Sequence, residues 1–130
     1  WYLLAVDPRT NELWGVQEDG VNRASFCRLE VQGTQYSIAE EHPLPRHTST
    51  IVAGNFDDDG NWVICASTAH YVTLDLLQRR VVRTTNLPGF GSIHAFTPAR
   101  RGAPAFVTGS ERSSGLPLVA EVDANGAVVR

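Results

Sequence analysis

The sequence contains no lysine and no methionine, so all eleven of its basic residues are arginine. We attribute this bias to genome composition rather than to a need for bidentate arginine contacts. Long apolar runs are also missing, which excludes a transmembrane helix because such a helix needs about 20 apolar residues. The chain also lacks an excess of basic over acidic residues. Its net charge is −3, which argues against nucleic acid as the main partner.

Cysteine is scarce, with only Cys27 and Cys65 in the chain. Two cysteines are too few for a disulfide framework, and the sequence leaves open whether they pair and which compartment the protein occupies. An initiator methionine is also lacking, and the chain opens on the apolar stretch from Trp1 to Val6. We therefore expect a processed chain or a piece of a longer one.

Hydrophobic residues make up 42% of the chain and charged residues 19%, which predicts one ordinary globular domain over residues 1–130. Short alternating apolar runs are separated by turn-forming Asp, Asn, Pro and Gly, a pattern typical of β-hairpins. Asn125-Gly126 between two such runs is the strongest of these signals. Residues 71–80 contain good helix formers, but their apolar positions alternate, which favours a strand. The sequence therefore predicts an all-β chain.

The two-hairpin pattern recurs along the chain. An acidic residue ends the predicted third strand of each unit at Glu30, Asp75 and Asp123, which are 45 and 48 residues apart. Four strands with a period of about 40 to 50 residues are typical of β-propeller blades. We predict three propeller-like, four-stranded antiparallel blades, a partial propeller, over residues 1–45, 46–89 and 90–130. A β-sandwich of ten to twelve strands has the same turn spacing and is the alternative.

The stretch Ile51–Ser67, IVAGNFDDDGNWVICAS, resembles an FG-GAP or VCBS repeat, a propeller-blade family of extracellular and cell-surface proteins. The resemblance implies a propeller blade and favours an extracellular or cell-surface location. It also implies a Ca²⁺ site in the first hairpin loop, with oxygen ligands from Asn55, Asp57 and Asp59. The later acidic position of the family pattern falls on Val63.

The same loop has a second interpretation, a solvated turn in which Asp side chains bind backbone N–H groups and Gly60 adopts a positive φ. Calcium takes six to eight oxygen ligands, so the loss of an oxygen at Val63 weakens the metal interpretation. The equivalent loops around Asp7 and Arg100 lack an acidic cluster. We therefore expect one calcium site at most.

Two further residues are candidates for ligand binding. Trp62 would suit stacking on a sugar or contact with a protein if it proves exposed near a loop. His94 lies in a predicted first strand, where it would face the axis of a propeller. No nucleophile elbow and no zinc-like ligand spacing occur, so we assign no catalytic residue and favour a protein that is not an enzyme.

These observations predict a binding or interaction module that recognises a protein or carbohydrate ligand through its loop face or central channel. Three blades are too few to close a ring, so we expect the chain to have a partner. The partner is either a second copy, in a homodimer that completes a six-bladed ring, or the rest of a longer propeller. The alternatives are a small all-β hydrolase that uses His70 or His94 with a carboxylate, and a purely structural segment of a larger propeller.

Overall fold

A computed structural model describes residues 3–18, 23–45 and 50–129, and in these ranges the chain contains strands and turns but no helix. The all-β prediction is therefore confirmed, and so is the strand predicted after Tyr71. The eleven strands are β1 Leu3–Val6, β2 Leu13–Glu18, β3 Ala24–Gln32, β4 Gln35–Pro43, β5 Ile51–Phe56, β6 Trp62–Ala66, β7 His70–Asp75, β8 Arg80–Asn86, β9 Phe90–Thr97, β10 Ala105–Glu111 and β11 Pro117–Val122.

Consecutive strands form three antiparallel sheets, β1 to β4, β5 to β8 and β9 to β11, which we call the first, second and third sheets. The first two have the predicted four strands. The third has three strands in the described ranges, because Val128 makes only an isolated bridge with Val122. The predicted boundary between residues 45 and 46 falls where residues 46–49 lie outside the described part of the chain.

The second sheet lies between the other two and is covered on both faces. Strand β6 is buried along its whole length, which explains why it is an unbroken apolar run rather than an alternating one. Its odd and even residues enter two separate cores. The core with the first sheet contains Trp14, Val16, Phe26, Trp62, Ile64 and Leu74, and the core with the third sheet contains Val63, Cys65, Tyr71, Phe90, Ile93, Phe96, Val107 and Val122.

Both cysteines are buried and free, so the question that the sequence left open is answered: they do not pair. Cys65 points into the core shared with the third sheet, where burial raises the pKa of its thiol to about 12. Burial also raises the pKa of the Cys27 thiol. Both side chains therefore serve as small apolar residues. No helix in the described ranges is long and apolar enough to cross a membrane.

An ion-pair cluster ties the first sheet to the second. Arg79, in the turn between β7 and β8, donates to both carboxylate oxygens of Glu40 at 3.0 and 3.2 Å, and Arg28 donates to the same carboxylate. The Arg79 guanidinium also lies 5.3 Å from the ring centre of buried Trp14. Hydrogen bonds from Arg79 and then Arg28 lower the pKa of Glu40 to about 2, from an ordinary value of 4.5.

Glu40 is therefore expected to make the protein sensitive to acid. A lowered folded-state pKa contributes stability that is present above about pH 4.5 and is lost as the pH falls toward 2. Glu40→Gln should lower the free energy of unfolding at pH 7 by roughly 1–3 kcal/mol and should flatten its fall below pH 4.5. Urea unfolding at several pH values measures both effects. Asp59→Asn, in an exposed turn, is the control, and equal acid sensitivity in wild type and Glu40→Gln would contradict the prediction.

Candidate functional site

The first hairpin turn of the second sheet contacts the first hairpin turns of the other two sheets. We call these three turns, residues 7–12, 57–61 and 98–104, the turn face. The side chain of Arg9 lies against Gly60, close enough to meet any Cβ placed there. From the other side, Arg100 donates to the carbonyl oxygen of Phe56 at 2.7 Å, and the amide of Arg101 donates to Asp58. The acidic turn of the second sheet is therefore flanked by arginines of both neighbouring turns.

That acidic turn is stabilised by its own first carboxylate. Asp57 Oδ1 accepts hydrogen bonds from the amides of Asp59 and Asn61 at 3.0 and 2.9 Å, and Gly60 has a φ of 79°. The same arrangement recurs after β11, where Asp123 Oδ1 accepts from the amides at positions 125 and 127 and Gly126 has a φ of 80°. The predicted turn, with Asp on backbone amides and Gly60 at positive φ, is confirmed.

Each of the three residues predicted to bind calcium makes a hydrogen bond within the protein, although Asp59 does so through its backbone amide and not through its carboxylate. The Asn55 amide nitrogen donates to the carbonyl oxygen of Phe96 at 3.3 Å, and Asp57 and Asp59 belong to the turn just described. Val63 is 3% exposed in a core, which accounts for the missing acidic residue at that position. In the ranges that the structure describes, no three His, Cys, Asp or Glu side chains lie so as to hold a metal ion. Calcium binding at Asn55, Asp57 and Asp59 stays a prediction.

The two predicted ligand-binding residues lie on different sheets. Trp62 is 1% exposed and stacks on Phe56 in the core shared with the first sheet, with ring centres 6.2 Å apart. His94 lies in β9, the first strand of the third sheet as predicted, and is exposed where the pairing with β10 is irregular. The ligand roles of both residues stay predictions, and the structure does not bring them together.

The turn face opens into a cleft of about 330 Å³ between the second and third sheets. Its floor is mainly apolar, and its rim carries charges of both signs. Such a volume lies at the lower end of the range for small-molecule sites, roughly 300–1,000 Å³. The floor is formed by Val63, Tyr71, Thr73, Ala105 and Val122, and the rim includes Asp57, Arg83, Pro98, Ala99, Pro104, Glu121 and Asp123.

Strand register explains why the residues of the second sheet meet in this cleft. Asn55, Val63, Thr73 and Arg83 are paired in turn across β5, β6, β7 and β8. Directly paired residues point to the same face of an antiparallel sheet. Val63 belongs to the core shared with the third sheet, so the whole row faces that sheet.

Two members of this row have polar groups that the described part of the chain leaves unpaired. Thr73 is 0% exposed, and its Oγ1 atom has no hydrogen-bond partner. A buried hydroxyl without a hydrogen-bond partner costs about 1–3 kcal/mol, so a hydrogen bond to this atom from a water molecule or a ligand would be favourable. Arg83 forms no ion pair in the same ranges, although carboxylates line the same cleft.

Tyr71 closes the floor of the cleft beside this row. Its ring stacks on Phe96 with centres 5.8 Å apart. The pKa of its hydroxyl is raised, chiefly by burial, while a hydrogen bond with Thr85 and the nearby charge of Arg83 oppose the rise. Tyr71 is therefore a neutral phenol near pH 7. Neither His70 nor His94 lines the cleft, and no other histidine is among the described residues that line it.

Comparison of the chain with protein-family models, with curated proteins and with solved structures found no match. The resemblance of Ile51–Ser67 to FG-GAP or VCBS repeats therefore has no support beyond its own residues.

Sequence reasoning missed Tyr71, Thr73, Arg83 and Asp123 as one site. Only one signal in the sequence pointed there, the repetition of Asp-x-x-Gly at residues 57–60 and 123–126. That repetition predicts two similar turns but does not show that they border the same cleft.

Proposed function

We propose that this chain is a binding module of propeller-type blades that recognises a protein or carbohydrate ligand through the cleft at its turn face. The observation that carries the proposal is the combination of the buried, unpartnered Thr73 hydroxyl and the unpaired Arg83 on one cleft. Pairing the buried hydroxyl would stabilise the fold, and the exposed guanidinium beside it is free to contact a ligand, so the two groups on one cleft support a ligand site.

The arrangement of the sheets supports the propeller part of the proposal. The first strands β1, β5 and β9 are neighbours, since β5 contacts both of the others. From this common line each sheet continues strand by strand in chain order. Blades of a propeller share this construction, with first strands around a central axis and later strands farther out.

The outer faces of the stack support a second copy as partner. The first sheet exposes large apolar side chains on the face away from the second sheet, and the third sheet exposes Phe106 and Val119. Inside the chain, two such faces are each covered by a neighbouring sheet. In a six-bladed ring of two copies, the first sheet of each copy would pack on the third sheet of the other. In a longer propeller, further blades would cover these outer faces of the first and third sheets instead. The exposed residues of the first sheet are Leu4, Val6, Val31, Tyr36 and Ile38.

Light scattering over a range of protein concentrations tests this partner. We expect a mass about twice the 14.2 kDa of the chain, because burial of these apolar faces is favourable. Val31→Glu should give a monomer, whereas Val82→Glu, on the second sheet, should not. A wild-type monomer at every concentration would exclude the second copy. A mass that depends on added calcium or chelator would support the site at Asn55, Asp57 and Asp59.

A blocked cleft tests the binding function itself. Ala99 is exposed on the rim, so Ala99→Trp should fill the entrance without disturbing a core. Ala103→Trp places the same ring in the same turn but away from the cleft lining. We expect ligand-observed NMR with mixed cations, anions, zwitterions and sugars to find a class that binds wild type and Ala103→Trp but not Ala99→Trp. If no class shows this pattern, the proposed function is wrong.

A further inference from the structure

One position recurs in all three sheets, the second residue of the second strand. It is occupied by Trp14 in β2, Val63 in β6 and Phe106 in β10. In each sheet this residue pairs with a residue of the third strand that lies two places before the acidic residue of the repeat: Arg28, Thr73 and Glu121. The three residues are therefore equivalent in register, and we call their place the contact position.

Within the chain, the contact position is buried wherever another sheet follows. Trp14 is 0% exposed in the core with the second sheet, and Val63 is 3% exposed in the core with the third. Phe106 is 40% exposed, and in the described ranges no sheet packs on its side of the third sheet. A following sheet would bury this ring as the second sheet buries Trp14.

The second sheet shows which residues receive the side chain at the contact position. Trp14 shares a core with Trp62, Leu74 and Leu76, and Arg79 lies 5.3 Å from the centre of its ring. These receiving residues are the first of the second strand, the two that flank the acidic residue of the repeat, and one in the turn that follows. A sheet that receives a partner is expected to have apolar side chains at the same places.

The first sheet has an apolar pocket of about 250 Å³ at these places, on its outer face. Leu13 is the first residue of β2, Leu29 and Val31 flank the acidic residue of the repeat, and residues 33–35 form the turn. Val31 is 57% exposed and the neighbouring Tyr36 is 59% exposed, so a partner can reach the walls of the pocket.

We propose that the phenyl ring of Phe106 in one copy inserts into this pocket on the first sheet of a second copy. Two identical contacts of this kind would close a ring of six sheets, since a contact between unlike surfaces closes when its rotation returns to the start. The inference rests on the second copy in the proposed function and names the contact that this copy makes. An aromatic side chain that fills a pocket commonly provides much of the binding energy of an interface.

Sedimentation velocity of charge variants tests this contact. We expect Phe106→Asp and Val31→Arg each to be monomeric at concentrations where wild type is a dimer, because each buries a charge in an apolar contact. An equal mixture of the two should form dimers again. One of its two contacts is wild type on both sides, and the other brings Asp and Arg together.

Two further variants make the test specific. Val82→Asp, on the second sheet, should dimerise as wild type does, and Val82 matches Phe106 in exposure at 39% against 40%. Phe106→Ala should raise the dissociation constant of the dimer at least about thirtyfold, the effect of losing an interface hot spot. Circular dichroism shows whether each variant is folded; Phe106, Val31 and Val82 are all exposed, so none of the substitutions opens a core.

The outcomes separate this contact from the rest of the proposed function. A dimer that persists in folded Phe106→Asp would place the contact elsewhere and overturn this inference alone. A mixture of Phe106→Asp and Val31→Arg that stays monomeric would also overturn it. A wild-type monomer at every concentration would overturn both this contact and the second copy, and would leave the outer faces to further blades of a longer propeller. Ligand binding at the cleft is tested separately by Ala99→Trp.

Discussion

Trp62→Ala is expected to lower the free energy of unfolding by about 3–5 kcal/mol, the range for a buried aromatic replaced by alanine. The indole is 1% exposed in the core between the first and second sheets, and it stacks on Phe56. The neighbouring Gly54 is packed so closely that an added Cβ would lie 3.0 Å from the indole nitrogen. A cavity at this position cannot be filled by a small shift of one side chain. Urea unfolding at pH 7 measures the loss.

Tyr36→Ala provides the comparison, since Tyr36 is also aromatic but is 59% exposed on the outer face of the first sheet. We expect this variant to change the free energy of unfolding of the isolated chain by less than about 1 kcal/mol. A loss of similar size in both variants would contradict the core role of Trp62. A folded Trp62→Ala protein of nearly wild-type stability that no longer binds ligand would support the ligand role predicted from the sequence.

The strands were predictable because their signals are local. Turn chemistry at Asp7, Asp57 and Asn125-Gly126 marked the hairpin ends, and alternation of apolar residues identified the strands between them. In each of these turns the Asp side chain binds nearby backbone amides, a contact that depends on neighbours within four residues. The sequence alone is enough for contacts of this range.

The stacking of the sheets was less predictable. Every residue of β6 is buried, so apolar character does not show that Trp62 enters one core and Val63 the other. Which face meets which sheet depends on contacts between residues far apart in the chain. The same limit applied to Trp62, whose aromatic character suits a core and a ligand surface equally well.

The cleft was not predictable for a related reason. Thr73 and Arg83 meet only because β7 and β8 pair in one register, and a shift of one residue would turn both side chains to the other face. Asp57 and Asp123 are 66 residues apart and approach each other only when the second and third sheets pack together. The resemblance to FG-GAP or VCBS repeats drew attention to a single loop, whereas the structural site includes two sheets.

Gly109→Ala is the second substitution with a large expected effect, because the new Cβ would meet backbone rather than a movable side chain. Gly109 is in β10 where the pairing with β9 changes register, and it faces Ile93. An added Cβ would collide with the carbonyl oxygen of Ser92 and lie 3.1 Å from the Cα of Ile93. Relief requires β9 to move away from β10, which breaks ladder hydrogen bonds and opens the core around Ile93 and Val107. Glycine at such an irregular pairing is typical of close backbone approach.

We expect Gly109→Ala to lower the free energy of unfolding by more than about 3 kcal/mol, or to prevent the soluble expression of the chain. Gly91→Ala in β9 is the matched control: the nearest atom to its Cβ, the Arg112 Cα, is at 3.4 Å, an ordinary contact. That variant should change stability by no more than about 1 kcal/mol. Urea unfolding and near-ultraviolet circular dichroism of both variants measure the difference. Equal stability of the two would mean that β9 and β10 separate easily at this point, which would also weaken the case for a rigid cleft between the second and third sheets.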